Sequence, residues 1–89
     1  MQVNIEKLNK NELEKRGVFS WPIWKKEESK FDWSYDSIEE CYFLEGRVLL
    51  HMKDGTKIEF GKGDFVTFPS GLSCTWEITE AVSKHYNFR

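Results

Sequence analysis

The sequence predicts an antiparallel all-β fold, either a closed barrel or a two-sheet jelly roll, behind a short N-terminal helix. Three observations carry this. From Val18 to Phe88 the chain is built of short runs in which apolar and polar residues alternate. Glycine-bearing turn signals separate those runs at close intervals. The segment before Gly17 carries the start and stop signals of one short helix. Many short strands joined by tight turns leave exposed strand edges unless the sheet closes or pairs with a second copy.

Val3 and Ile5 alternate with polar neighbours, so Gln2–Glu6 is expected as a short strand. Asn9 followed by Glu12 is a helix-start pattern, and Gly17 is a stop, with a charged helix between them. Phe19, Trp21 and Ile23 fall on one face of an expected strand, with Pro22 suited to a sheet edge. Lys25–Lys30 reads as a charged loop, and Phe31, Trp33 and Tyr35 alternate on the next strand up to a turn at Asp36-Ser37. Glu40–Leu44 is a strand expected to end in a tight turn at Glu45-Gly46, with Val48, Leu50 and Met52 on the strand that follows. Asp54-Gly55 is the strongest hairpin signal, leading into Thr56–Phe60. Gly61–Asp64 is a turn, Phe65–Phe68 a strand, and Pro69-Ser70-Gly71 its close. Cys74, Trp76 and Ile78 alternate, Thr79-Glu80 is expected as a break, and Val82–Phe88 is a final strand. This makes eight or nine strands.

At 89 residues the chain is expected to form one domain, 1–89, with a modest core. Four Trp, three Tyr and seven Phe supply much of that core, because each buries a large area. The net charge of −2 provides no basic footprint for nucleic acid, although Trp21, Trp24, Phe31 and Trp33 could stack on bases. No apolar run approaches the ~18 residues of a membrane span. The opening MQVNIEKLNKNELEKRG has no apolar signal core, so a cytoplasmic protein is expected. Cys41 and Cys74 have neither the number nor the spacing of a disulfide scaffold or zinc finger. The strand around Cys41–Leu44 is apolar on both faces, Cys41 and Phe43 one way and Tyr42 and Leu44 the other. Such a wall needs an outer cover, which predicts a homodimer.

Glu39–Gly46 (EECYFLEG) and Gly63–Cys74 (GDFVTFPSGLSC) carry a spacing that resembles the two motifs of the cupin family. Glu39 and Gly46 match the glutamate and glycine of the first motif, whose two histidine positions fall on Trp33 and Tyr35. Gly63, Pro69 and Gly71 match the second, whose histidine position falls on Cys74. The aligned stretch runs from about Phe31 to Ile78. The pattern is similar to small cupins of the ureidoglycine aminohydrolase and ethanolamine-utilisation group. The resemblance implies a cupin-type double-stranded β-helix, a jelly-roll barrel with a ligand pocket lined by Trp33, Tyr35, Glu39 and Cys74. It does not carry that group's chemistry over, because fold does not determine function.

Cupin metal centres generally combine three imidazoles with one carboxylate, and most of those side chains are replaced here. Trp33 cannot ligate, and Tyr35 rarely does. His51 alternates away from Val48, Leu50 and Met52, and His85 is expected at the surface. No resident cofactor is therefore expected; a divalent transition metal held by Glu39 and Cys74 is the alternative. Glu39 is the candidate acid/base, since a carboxyl desolvated among aromatic residues can exchange protons near neutral pH; the other reading is a carboxylate hydrogen-bonded at the barrel mouth. Tyr35 is a candidate hydrogen-bond donor. Cys74 is a candidate nucleophile or an inert buried thiol. Trp33, Cys41, Phe43 and Trp76 either line a ligand site or simply fill the barrel. The expected function is a small cupin that binds a small polar metabolite, a hydrolase, lyase or isomerase if it is an enzyme, and otherwise a non-catalytic binding or sensor module.

Overall fold

The computed structural model describes residues 2–89. Among them lie seven strands: β1 (Asn4–Glu6), β2 (Ile23–Lys26), β3 (Ser29–Ser34), β4 (Glu39–Met52), β5 (Lys57–Gly61), β6 (Phe65–Phe68) and β7 (Ser73–Phe88). One helix, α1 (Lys10–Lys15), and a single 3-10 turn at Val18–Ser20 separate β1 from β2. No helix among the described residues is long and apolar enough to cross a membrane.

The two long strands organise everything else. β4 and β7 run antiparallel from Glu39 opposite Phe88 to Met52 opposite Cys74. The far edge of β7 is taken by β3 along Ser73–Ile78 and by β2 along Val82–His85. The far edge of β4 is taken by β6 along Glu39–Tyr42 and by β5 along Arg47–His51, and β1 extends the sheet beyond β6. Each long strand therefore passes from one half of the jelly roll into the other, and the interior lies between the halves. That interior is packed with Phe43, Val48, Leu50, Phe60, Phe68 and Trp76, all buried. This is the all-β architecture expected from the alternation and the turn spacing.

The tight turn expected at Glu45-Gly46 is instead a bulge inside one continuous strand. Phe43 and Val48 both face the interior, yet they lie an odd number of residues apart, so strict alternation would turn one of them out. The ladder opposite β7 shifts register between Phe43 and Val48, which restores both to the core. Gly46 makes this geometry accessible with φ of 100°. A Cβ there would also meet the β7 backbone, 2.7 Å from Val82 Cα and 2.8 Å from Glu80 O. The break expected at Thr79-Glu80 is absent for the same reason: β7 stays continuous opposite the bulge.

Two other expectations change at the sheet edge. Lys25–Lys30 is not a loop but the end of β2, a turn and the start of β3. Its charges suit exposed edge strands, where they discourage further pairing. The strand expected from Phe19 begins only at Ile23, after the 3-10 turn and Pro22.

The N-terminal segment supplies the outer cover that the doubly apolar wall needs. Asn9 caps α1 by accepting from the Glu12 N–H at 2.9 Å, while Glu12 accepts from the Asn9 N–H at 3.1 Å. Gly17, at φ of 75°, ends the helix and turns the chain back. Leu13, Val18 and Phe65 then form a second apolar cluster, against which Tyr42 and Trp21 pack. The outer face at Tyr42 thus packs against the chain's own N-terminal segment. His85, expected at the surface, is 7% exposed beneath this segment, with Nδ1 2.9 Å from the Trp21 carbonyl.

The C-terminus is tied down through Glu40. Its carboxylate accepts from Arg89 at 2.7 Å and from Asn87 at 3.4 Å, and the Arg89 bond holds the carboxyl below its ordinary range. A carboxyl depressed in the folded state contributes stability that is full above its unfolded value, about pH 4.3, and is lost as the pH falls through the folded value. Arg89→Ala should therefore flatten the acid-side decline of stability measured by urea unfolding between about pH 3 and pH 6. An unchanged slope would remove Glu40 from the acid response.

Candidate functional site

A cavity of about 540 Å³ opens where β2 and β3 meet the ends of β4 and β7. Strand alternation decides what faces it. On β7 the even-numbered residues point inward, so Trp76, Lys84 and Tyr86 share a face with Cys74. On the first half of β4 the odd-numbered residues do so, bringing Glu39, Cys41 and Phe43 opposite them. Trp24, Phe31, Trp33, Tyr86 and Phe88 wall the opening, and Tyr35, Glu39, Trp76 and Lys84 lie at its floor. Lys26 and Asp32 are the charged residues of the wall outside that floor.

The floor is held together through Trp76. Its Nε1 donates to the Tyr35 hydroxyl at 3.0 Å, and Phe31 stacks on it with ring centroids 6.0 Å apart and 18° between planes. Trp24 meets it edge-on at 6.1 Å. Tyr35 in turn stacks on Phe68 at 4.8 Å. These contacts fix the aromatic planes that line the cavity.

Glu39 is not an isolated carboxyl. Lys84 Nζ donates to Glu39 Oε2 at 3.2 Å and to Cys41 Sγ at 3.2 Å, and the Cys41 thiol donates to the same Oε2 at 3.4 Å. Glu39 and Lys84 are 4% and 5% exposed, so this is a buried ion pair. Burying two charges costs on the order of several kcal/mol per ion unless geometry and hydrogen bonds compensate. Here the ammonium also sits 4.8 Å from the Trp76 ring, 5.0 Å from Trp24 and 5.9 Å from Phe43. The ring faces offset part of its lost hydration. The side-chain hydrogen bonds on the Glu39 carboxylate both end on Oε2.

Burial also governs the neighbouring acids. It pushes the Cys41 thiol up to about 12, the Lys84 ammonium opposing this only in part. It pushes Cys74 up to about 11, with Asp32 adding to the effect. Tyr35 is raised as well, by burial first and then by the Glu39 charge. Both thiols are free and protonated in the folded protein. At about pH 8 the native protein should resist a disulfide-exchange reagent such as DTNB, and both cysteines should react once it is unfolded. Rapid labelling of the native protein would contradict the buried setting.

Of the residues singled out from sequence, Glu39, Tyr35, Trp33 and Trp76 line the cavity. Cys41 and Phe43 pack behind Lys84, and Cys74 lies in the adjoining core, across the β3–β7 ladder from Trp33. Lys84 is the charged floor residue that the motif spacing does not mark. A signal for it is present in the sequence: lysine occupies the phase of Cys74, Trp76, Ile78, Val82 and Tyr86. A break at Thr79-Glu80 would interrupt that phase, so the continuity shows only once β7 is seen to run unbroken.

The donor set does not suit a divalent transition metal. An ammonium already sits on the floor carboxylate, Cys74 lies in the adjoining core rather than at the floor, and Trp33 offers no ligating lone pair. His51 bonds Glu77 at 2.7 Å and His85 bonds the Trp21 carbonyl, both away from the floor. No group of three or more His, Cys, Asp or Glu converges among the described residues.

Comparison with known proteins agrees with this architecture. A family model described as "EutQ-like cupin domain" matches residues 13–86. A DUF861 family protein from Thermotoga maritima is 51% identical over 99% of this chain and 100% of its own, with a TM-score of 0.96. A protein of unknown function in the same DUF861 family, from Pseudomonas syringae pv. tomato, is 28% identical over 72% of this chain and 28% of its own, with a TM-score of 0.65. The Clostridium difficile EutQ protein shares the fold at 22% identity over 72% of this chain and 50% of its own, also with a TM-score of 0.65. No curated protein matches the sequence. The motif spacing, the jelly-roll topology and the family match over most of the sequence agree: the chain belongs to the EutQ-like cupin family.

Proposed function

We propose that this cupin binds a small polar metabolite in the cavity between β2, β3 and β7 and performs acid–base chemistry on it with Glu39. The observation that carries this reading is the buried Glu39–Lys84 pair at the floor of an aromatic-walled cavity of about 540 Å³. Enclosed charges at the base of an apolar pocket are the arrangement by which small ligands are oriented and protons exchanged. Glu39 Oε1 would take or return the proton, and Lys84, at 3.2 Å from Oε2, would steady the carboxylate between transfers. Trp33 and Trp76 would contact the flat faces of the ligand, and the Tyr35 hydroxyl would donate to it. Reactions of hydrolase, lyase or isomerase type can proceed with these groups alone, and no step is assigned to a metal.

One observation favours a binding or sensor role instead. Glu39 is already engaged by an ammonium and a thiol, which restrains it as a base. Tryptophan fluorescence titration with small carbonyl, amide and carboxylate metabolites tests both readings, because Trp24, Trp33 and Trp76 surround the cavity. An enzyme should turn over a ligand that quenches this signal. Its Glu39→Gln variant should lose turnover while retaining affinity within about tenfold. Saturable quenching without turnover would leave the sensor, and absence of any saturable ligand would end both.

A further inference from the structure

We infer that Lys84 is an amine nucleophile for the carbonyl carbon of a small aldehyde or ketone that carries a carboxylate, forming an imine at the cavity floor. This chemistry rests on the proposed ligand cavity and names the substrate class for it.

Three features lead there. Lys84 lines the cavity and is withdrawn from water, the setting in which lysine serves as a nucleophile towards carbonyl compounds. A proton acceptor is already in place, Glu39 Oε2 at 3.2 Å from Nζ. The rings of Trp24, Trp76 and Phe43 face the same nitrogen. Those rings face the nitrogen's positive charge, and a protonated imine carries the same charge on the same atom. The cage therefore stabilises the product of condensation as well as the resting state.

The step balances without an oxidant or reductant. Nζ gives one proton to Glu39, and its freed electron pair bonds the carbonyl carbon. The carbonyl π pair moves to oxygen, which takes up a second proton from the attacking nitrogen to give a carbinolamine. That hydroxyl leaves as water with the proton held by Glu39, and the nitrogen lone pair closes the C=N bond. Ammonium and carbonyl become a protonated imine and one water, and Glu39 ends as the carboxylate it began as.

The carboxylate is matched to Lys26; Asp32, the other charged wall residue, accepts from the Thr75 hydroxyl at 2.7 Å. Lys26 lines the cavity, with its ammonium 5.5 Å above the Phe31 ring. It offers a cation to an anionic group on a ligand whose carbonyl reaches Lys84. Aromatic walls on several sides favour a flat or unsaturated body between the two.

The test is reductive trapping with 4-carboxybenzaldehyde and sodium cyanoborohydride, read by intact mass and peptide mapping. The expected result is one dominant adduct, on Lys84, at aldehyde concentrations that leave the exposed lysines unlabelled. Lys84→Arg should abolish it while keeping the folded spectrum, and Lys26→Met should remove the preference for 4-carboxybenzaldehyde over benzaldehyde. The alcohol 4-(hydroxymethyl)benzoate, which cannot condense, separates binding in the cavity from imine formation. If the alcohol quenches cavity tryptophan saturably but the aldehyde labels only surface lysines, imine formation is overturned and the cavity reading stands. If the alcohol does not bind and Lys84 stays unlabelled, the carbonyl-acid class falls. The wider cavity reading then rests on the metabolite titration alone.

Discussion

Replacing Lys84 with methionine should destabilise the protein by about 3–5 kcal/mol, the usual loss when one member of a buried ion pair is removed. Methionine keeps much of the apolar stem between Trp24 and Trp76, so packing loss is small beside the electrostatic term. What remains is Glu39, 4% exposed and without its ammonium. The double variant Glu39→Gln with Lys84→Met should recover most of the loss, because it leaves no unpaired charge in the barrel. A double-mutant cycle by urea unfolding at neutral pH measures the coupling directly. If Lys84→Met alone is as stable as the parent, the pair is not held away from water and the account of the floor is wrong. The same cycle, read by ligand binding, separates the pair's structural role from its functional one. A variant that regains stability without regaining ligand affinity places the pair at the site as well as in the fold.

Gly46→Ala should cost about 3 kcal/mol or more, a large effect for adding one methyl group. Two causes act together. The residue sits at φ of 100°, which an L side chain adopts at a cost, and its Cβ would press into the β7 backbone at Glu80–Val82. Gly55 separates these causes. It has φ of 91°, but a Cβ there would meet nothing within 4 Å. Gly55→Ala should thus cost only the conformational part, about 1–2 kcal/mol. Equal losses at the two positions would show that backbone angle alone matters and that the bulge tolerates a side chain. The expected difference reports how closely β4 and β7 approach at the bulge.

Features written in a few adjacent residues are legible in the sequence alone. Asn9 with Glu12 marks α1, Asp54-Gly55 marks the β4–β5 hairpin, and Gly63, Pro69 and Gly71 bracket β6. Each depends on local hydrogen bonding or on a backbone angle that few residues reach, so short stretches of chain suffice to identify it. The positions of Glu39, Tyr35 and Trp33 at the cavity are legible as well, because motif spacing places them on segments that converge, whereas Cys74, marked by the same spacing, lies in the adjoining core. Gly46 is ambiguous: a tight turn and a bulge make the same demand on one backbone angle. Only the interior burial of both Phe43 and Val48 distinguishes them, and that is a property of the β4–β7 pairing.

By itself, then, the sequence determined the strand-rich character, the capped helix, the glycine-bearing turns and the family spacing, all of which arise from short-range constraints. Tertiary structure decided three things. It chose a bulge over a turn, it laid the N-terminal segment over Tyr42 and His85, and it sank Lys84 beside Glu39 and Cys41. The physical reason is the same in each case. The free energy of a lysine, a histidine or an apolar outer face depends on what lies across the sheet, and those partners stand dozens of residues away along the chain.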